Sequence, residues 1–149
     1  MNGLIKIEFP KDKVLRRNNS GSEEIFDAIR KTWVALTPEE WVRQHFIMYL
    51  IAVKKYPDAL FAVEKEHIFN DLTMRADLVI YTRDLKPWMI CEFKAADVPV
   101  SPEAFYQIGR YNLTYDVPYL VVSNGMEHYC MKRVEDNFEF LDDLPEYEQ

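Results

Sequence analysis

Two apolar runs joined by a short polar connection occupy residues 75–94 and restrict the fold more than any other stretch. The chain there reads Arg75-Ala-Asp-Leu-Val-Ile-Tyr81, then a polar segment ending at Pro87, then Trp88-Met-Ile-Cys-Glu-Phe-Lys94. Leu78 to Tyr81 and Trp88 to Phe93 are rich in β-branched and aromatic residues, which favour strands. The polar connection with its proline predicts a hairpin loop. The second strand is apolar on both faces, because Ile90 alternates with Met89 and Cys91, so it is expected at the centre of a sheet. Glu92 and Lys94 stand two apart in that run and share a face. Asp77 opens the neighbouring strand. Ionisable groups buried together are costly unless they pair or bind a metal. Two carboxylates converging across a hairpin suit a hard cation such as Mg²⁺, which takes oxygen ligands and keeps several waters. The lysine two positions on would face the same phosphate and water.

The remaining chain supplies strands and helices around this hairpin. Leu4 to Phe9 alternates and predicts a short strand, and Lys11 to Ser22 predicts a polar loop whose Arg16 and Arg17 could touch phosphate. Ile25, Phe26, Ile29, Trp33 and Leu36 fall at helical spacing over 22–36. Thr37-Pro-Glu-Glu40 starts a second helix, with Thr37 as cap, Pro38 in the first turn and Glu40 completing a capping box. It should run to about Lys55, with Glu40, Arg43 and Gln44 close on one side. Leu60 to Phe69 alternates as a strand leading into the hairpin. On it Glu64 could border the site but reads first as a cross-strand partner on the sheet surface, and His67 reads as an isolated histidine, with no second one at zinc-ligand spacing. Ser101-Pro-Glu103 opens a helix to about Tyr115, placing Gln107 and Tyr111 on one face with Arg110 beside it. Val117 to Ser123, Glu127 to Arg133 and Asn137 to Leu141 predict strands, with Asn124-Gly125 as a turn. The tail from Asp142 is expected to be poorly ordered. The core order is α-β-β-β-α-β, an α/β or α+β sandwich in which helices cover a mixed sheet.

Composition limits the partners. At 149 residues the chain is expected to form a single domain, with a core at about 25–133 and an acidic tail at about 134–149. No apolar run approaches a membrane span and no signal peptide is evident, so a cytoplasmic protein without a membrane partner is expected. Cys91 and Cys130 fall in strands and read as buried thiols, with a disulfide as the lesser alternative. The net charge of −7 is awkward for a DNA binder. Its distribution matters more. Beyond Arg133 there are seven acids and no base, and the other 18 acids balance the 18 bases. A neutral body predicts weak or partner-assisted binding.

Ala76-Asp77, the hairpin and Glu92-Phe93-Lys94 together resemble the core of the PD-(D/E)xK nucleases, with Ala76 where that superfamily often has proline. The chain also resembles the restriction-endonuclease-like domain at the N-terminus of type I restriction enzyme R subunits, in a small stand-alone bacterial form. That resemblance covers about residues 25–133. It rests on Asp27-Ala-Ile-Arg-Lys31, Leu36-Thr-Pro-Glu-Glu-Trp-Val-Arg-Gln44, Arg75-Ala-Asp77, Cys91-Glu-Phe-Lys-Ala95 and Gln107-Ile-Gly-Arg-Tyr-Asn112. It implies a restriction-endonuclease-like fold and Mg²⁺-dependent endonuclease activity on DNA, with Mn²⁺ able to substitute. Asp77, Glu92 and the Phe93 carbonyl would hold the ion. Lys94 would orient water or stabilise the transition-state phosphorane, and Gln107 would position Lys94 or the phosphate. Glu40, Arg75, Arg110 and Tyr111 would support the site. For Glu40 the alternative is the cap alone. For Gln107 and Tyr111 it is solvation and packing.

Two other readings stay open on the sequence. One is a nuclease-like fold that binds nucleic acid without cutting it. The other is an assembly or regulatory protein whose acidic tail docks a basic partner or occludes the DNA groove. The chain has no G-x-x-x-x-G-K-[ST] loop, so any motor or specificity subunit would be a separate partner. A homo-oligomer is compatible with all three.

Overall fold

The computed structural model describes residues 4–69, 72–101 and 116–147, with the backbone alone at 65–69 and 72–75. Nine strands and a helix are defined among them: β1 (Arg16–Asn19), β2 (Ser22–Asp27), β3 (Thr32–Ala35), α1 (Pro38–Ala52), β4 (Phe61–Phe69), β5 (Leu72–Tyr81), β6 (Pro87–Phe93), β7 (Tyr119–Ser123), β8 (His128–Val134) and β9 (Asn137–Phe140). β1, β2 and β3 form an antiparallel sheet, and β4 to β9 form a six-stranded sheet in sequence order. All its neighbours are antiparallel except β6 and β7, which run parallel. The fold is therefore a mixed α+β architecture, as the sequence implies, with β6 central.

The large sheet buries both faces. Met89, Cys91 and Phe93 point to the side on which α1 lays Val42, Phe46, Ile47 and Leu50. Val79, Ile90, Leu120 and Val122 form a second apolar cluster. Cys91 and Cys130 are free thiols, both buried, separated by Val121 on the intervening strand. Burial pushes the Cys130 thiol up to about 12. The Asn124-Gly125 turn forms as expected. Asn124 Oδ1 accepts from the main-chain N–H groups of Met126 and Glu127, and Gly125 sits at φ +89°, where a β-carbon would crowd Val42.

Four sequence expectations are corrected. Residues 22–36 are not a helix but the hairpin β2–β3. Asp27 Oδ1 accepts from the N–H groups of Ile29 and Arg30, both at 2.9 Å, and this turns the chain back at Ala28–Lys31. Ile25 then pairs with Val34 and Phe26 with Trp33, so the apolar residues serve two sheet faces, not one helical stripe. The predicted loop 11–22 contains β1 and a tight turn in which Ser20 and Gly21 both take positive φ. Residues 4–9 make one bridge, Leu4 to Tyr129, in place of a strand, although Phe9 packs edge-on to Trp41 and His128.

The acidic tail is the fourth. Leu144 is buried, Tyr147 stacks edge-on to Trp88 with ring centroids 4.9 Å apart, and Tyr56 Oη donates to the Pro145 carbonyl at 2.5 Å. Truncation after Leu141 should therefore expose Trp88 and Tyr56 and lower the urea unfolding free energy by about 2–4 kcal/mol. A loss under about 0.5 kcal/mol would mean the tail contributes surface only.

His128 gives a pH prediction. It is buried beside Phe9 and Phe46, with Nδ1 2.7 Å from Ser123 Oγ, and burial pushes its pKa down to about 4. The unfolded chain, with histidine near its ordinary value of about 6.5, binds the proton first as pH falls. The stability this residue preserves is complete above about pH 6.5 and is lost towards pH 4, by about 3 kcal/mol. Subtracting the pH–stability curve of His128→Gln from that of wild type should recover this slope, and parallel curves would refute it.

Candidate active site

The β5–β6 ladder pairs Leu78 with Cys91 and goes no further towards the open end of the hairpin. One step beyond, the same register sets Asp77 opposite Glu92. There the Asp77 carboxylate takes over from the ladder: its Oδ2 accepts the Phe93 N–H at 2.8 Å. Meanwhile β6 continues to pair with β7 up to Phe93–Ser123, and the Lys94 N–H donates to the Ser123 carbonyl at 2.9 Å. β6 is thus held on one side and released on the other at the point where it presents its charged residues.

Asp77 and Glu92 are half-buried, whereas Lys94 is exposed. Burial, and then the neighbouring Asp77 carboxylate, push Glu92 up to about 9, against the opposing pull of Lys94. Glu92 therefore holds a proton near neutral pH in the absence of another cation beside Asp77. A proton or a cation between them would relieve the repulsion.

A cleft of about 240 Å³ opens beside Asp77 and Phe93, with Thr37, Glu39, Glu40 and Arg43 of the α1 start on one wall and Glu64 of β4 on another. Thr37 Oγ1 accepts the Glu40 N–H at 3.1 Å, so the predicted cap forms. The reciprocal half of the capping box does not. The Glu40 carboxylate is directed at its own helix face, where Oε2 accepts from Arg43 Nε at 2.9 Å and from Gln44 Nε2 at 3.0 Å, and Oε1 makes a further close contact with Arg43 Nη2. Gln44 in turn accepts the Ala28 N–H at 3.1 Å and ties the small sheet to α1.

For Glu64 the sequence favours a place on the sheet surface over one bordering the site, and the structure places it in the cleft. Its Oε1 lies 3.3 Å from Arg43 Nη1, and its Oε2 lies 3.2 Å from Arg30 Nη1. Its backbone sits at φ +54°, a conformation that is uncommon outside glycine. The β4–β5 pairs run Val63–Leu78 and Lys65–Ala76 and omit Glu64 with Asp77 between them. The strain therefore lies directly across from the proposed ligand. A signal was available in the sequence: pairing Phe69 with Leu72 puts Glu64 opposite Asp77. Arg43 and Arg30 were missed. Burial works against the Arg43 charge, but Glu40 and then Glu64 more than offset it, so its pKa is raised. Arg30 Nε lies 2.6 Å from the buried Asp27 carboxylate.

The structure thus brings together Asp77, Glu92 and Phe93, sets Lys94 beside them and puts Glu40 on the cleft wall. Arg75 pairs with Glu66 along the backbone, and its side chain falls outside the described set. Gln107, Arg110 and Tyr111, with the predicted helix that carries them, lie outside the described residues. Among the described residues, no group of three His, Cys, Asp or Glu side chains is placed to hold a metal. Two carboxylates and a carbonyl fit Mg²⁺, which takes one or two carboxylates and completes its shell with water and substrate oxygens. No helix among the described residues is long and apolar enough to cross a membrane.

Comparison with known proteins gives the following. No curated protein matches the chain. A similar solved structure is a member of DUF820 from Anabaena variabilis, described as a candidate nuclease. It has 10% identity and a TM-score of 0.49, and the match covers 89% of this chain and 79% of that one. Residues 38–145, from the first residue of α1 to the packed tail, match the family model of the type I restriction enzyme R protein N terminus. The chain belongs to that family.

Proposed function

We propose that this protein is a divalent-metal-dependent nuclease that hydrolyses phosphodiester bonds in DNA. The observation that carries the reading is the pairing of Asp77 with Glu92 where the β5–β6 ladder ends. Family membership and the adjoining cleft support it. Asp77, Glu92 and the Phe93 carbonyl would hold Mg²⁺ or Mn²⁺. When bound, such an ion polarises a phosphoryl oxygen and makes water a better nucleophile near neutral pH.

The chain's own residues do the rest. Phe93 N–H fixes one Asp77 oxygen and leaves the other to face the site. The anchored Lys94 backbone sets its ammonium at the exposed edge of the carboxylate pair, where it can meet a phosphate. Its role is electrostatic, stabilising charge that builds on the phosphoryl oxygens. Arg43 and Arg30 neutralise Glu40, Glu64 and Asp27, so these acids do not repel an incoming phosphate with full charge. Gln107 is assigned by resemblance to positioning Lys94 or the phosphate.

Titration calorimetry with Mn²⁺ and Mg²⁺ should show one site in wild type and loss of binding in Asp77→Ala. Absence of binding to wild type at millimolar Mn²⁺ would count against the reading. In a cleavage assay with single- and double-stranded DNA, Lys94→Ala should bind the ion but cut about 10²–10³ times more slowly. Undiminished cutting by Lys94→Ala would remove the lysine from the mechanism.

A further inference from the structure

The family match begins at residue 38, so the three-stranded sheet β1–β3 lies before it. That sheet has a surface the nuclease reading does not use. Ile25 and Val34 pair on its inner face and Phe26 and Trp33 on its outer face, where both are half-buried with ring centroids 5.3 Å apart. The Arg17 guanidinium lies 4.4 Å from the Trp33 ring centre. Its Nε is paired with Glu24 at 2.7 Å, and its side chain remains 42% exposed. Towards the Ala28–Lys31 turn, Phe26 lines a depression of about 190 Å³ rimmed by Lys13 and Lys31 and floored in part by Met48 of α1. Residues 11–35 contain six bases and four acids, a positive surplus within a chain of net charge −7.

We propose that this outer face is a docking platform for single-stranded nucleic acid, with one base stacked on the exposed Arg17 guanidinium that Trp33 backs and the flanking phosphates met by Lys13 and Lys31. The inference rests on the nuclease reading and supplies the location of substrate contact outside the cleft. Three observations support a single strand as the occupant. A guanidinium backed by an indole ring is a stacking surface for any base, whereas a duplex offers its bases only at groove edges. The cations flank the aromatics instead of forming a broad field, which suits a narrow backbone. The turn that carries Lys31 also carries Arg30, which reaches Glu64 in the cleft wall, so the small sheet adjoins the cleft that Asp77 lines.

The test is anisotropy of a labelled thymidine oligomer and of a duplex of equal length, with the full chain in EDTA. Wild type should prefer the single strand. Trp33→Ala should weaken it about tenfold, while Trp33→Phe, which keeps a stacking face, stays within about threefold. Lys13→Ala with Lys31→Ala should lower the salt-dependence slope by about 1.4. Circular dichroism of each variant checks the fold. No binding to the oligomer, preference for the duplex, or unchanged affinity in Trp33→Ala would each overturn the platform. Hydrolysis of a small chromogenic phosphodiester with Mn²⁺, with Asp77→Ala as its control, needs no platform. It tells failure of this inference from failure of the nuclease reading.

Discussion

The buried guanidinium of Arg43 is the constraint on which the site's construction depends. A guanidinium withdrawn from water must be matched by acids at close range, or it unfolds the surface around it. Glu40 supplies that match from one turn earlier in α1, and Glu64 supplies it from β4. Because Glu64 must reach a helix lying over the sheet, the chain accepts positive φ there and gives up the pairing of Glu64 with Asp77. The local cost is of the order of 1 kcal/mol. It is offset by a second ion pair to each of two arginines, Arg43 and Arg30, which Glu40 and Asp27 already hold. The same detour opens β5 on the side of Asp77, so the ion-pair network and the candidate ligand are two consequences of one geometric demand.

The other flank of Asp77 follows similar logic. A strand with ladders on both sides has no main-chain donor to spare. β6 loses its β5 partner after Cys91, and Phe93 gains a free N–H that the Asp77 carboxylate takes. That bond holds Asp77 against Glu92 even though the two repel. Burial and repulsion together raise Glu92, which marks the pair as a place where positive charge is wanted. Lys94 supplies some of it from the rim, though not enough to cancel the shift.

How much of this could be read from the sequence depended on how local the cause was. The hairpin of residues 72–93, its central strand and the α1 start at Thr37-Pro38 are governed by short-range pattern and cap chemistry, and they were legible. So was the convergence of Asp77 with Glu92, because register follows from alternation. The segment 22–36 was misread because its apolar spacing satisfies a helix as well as a hairpin. The deciding factor was a side chain, Asp27, bonding its own downstream N–H groups. Glu64 was given the lesser weight as a site residue for a different reason. Its partners, Arg30 and Arg43, are 34 and 21 residues away, and nothing in a strand's period announces positive φ. The tail was misjudged from its charge, while Leu144 and Tyr147 carried the packing.

The family match and the structure divide the molecule at different places. The match starts with α1, yet the cleft wall is completed from before it: Arg30 pairs with Glu64, and Gln44 holds both Glu40 and the Ala28 N–H. Residues 16–35 are therefore coupled to the site through charge, not merely attached to it. Asp27 is central to that coupling. Burial alone would raise its pKa, but bonds from Arg30 and Ile29 more than reverse the effect, so it stays ionised and keeps Arg30 in place. On the proposed nuclease reading, an acidic protein that meets a polyanion would gain from this arrangement. Its acids are consumed internally around Arg43 and Arg30, its C-terminal acids are carried on a tail packed by Leu144 and Tyr147, and its positive surplus is placed on the small sheet that leads to the cleft.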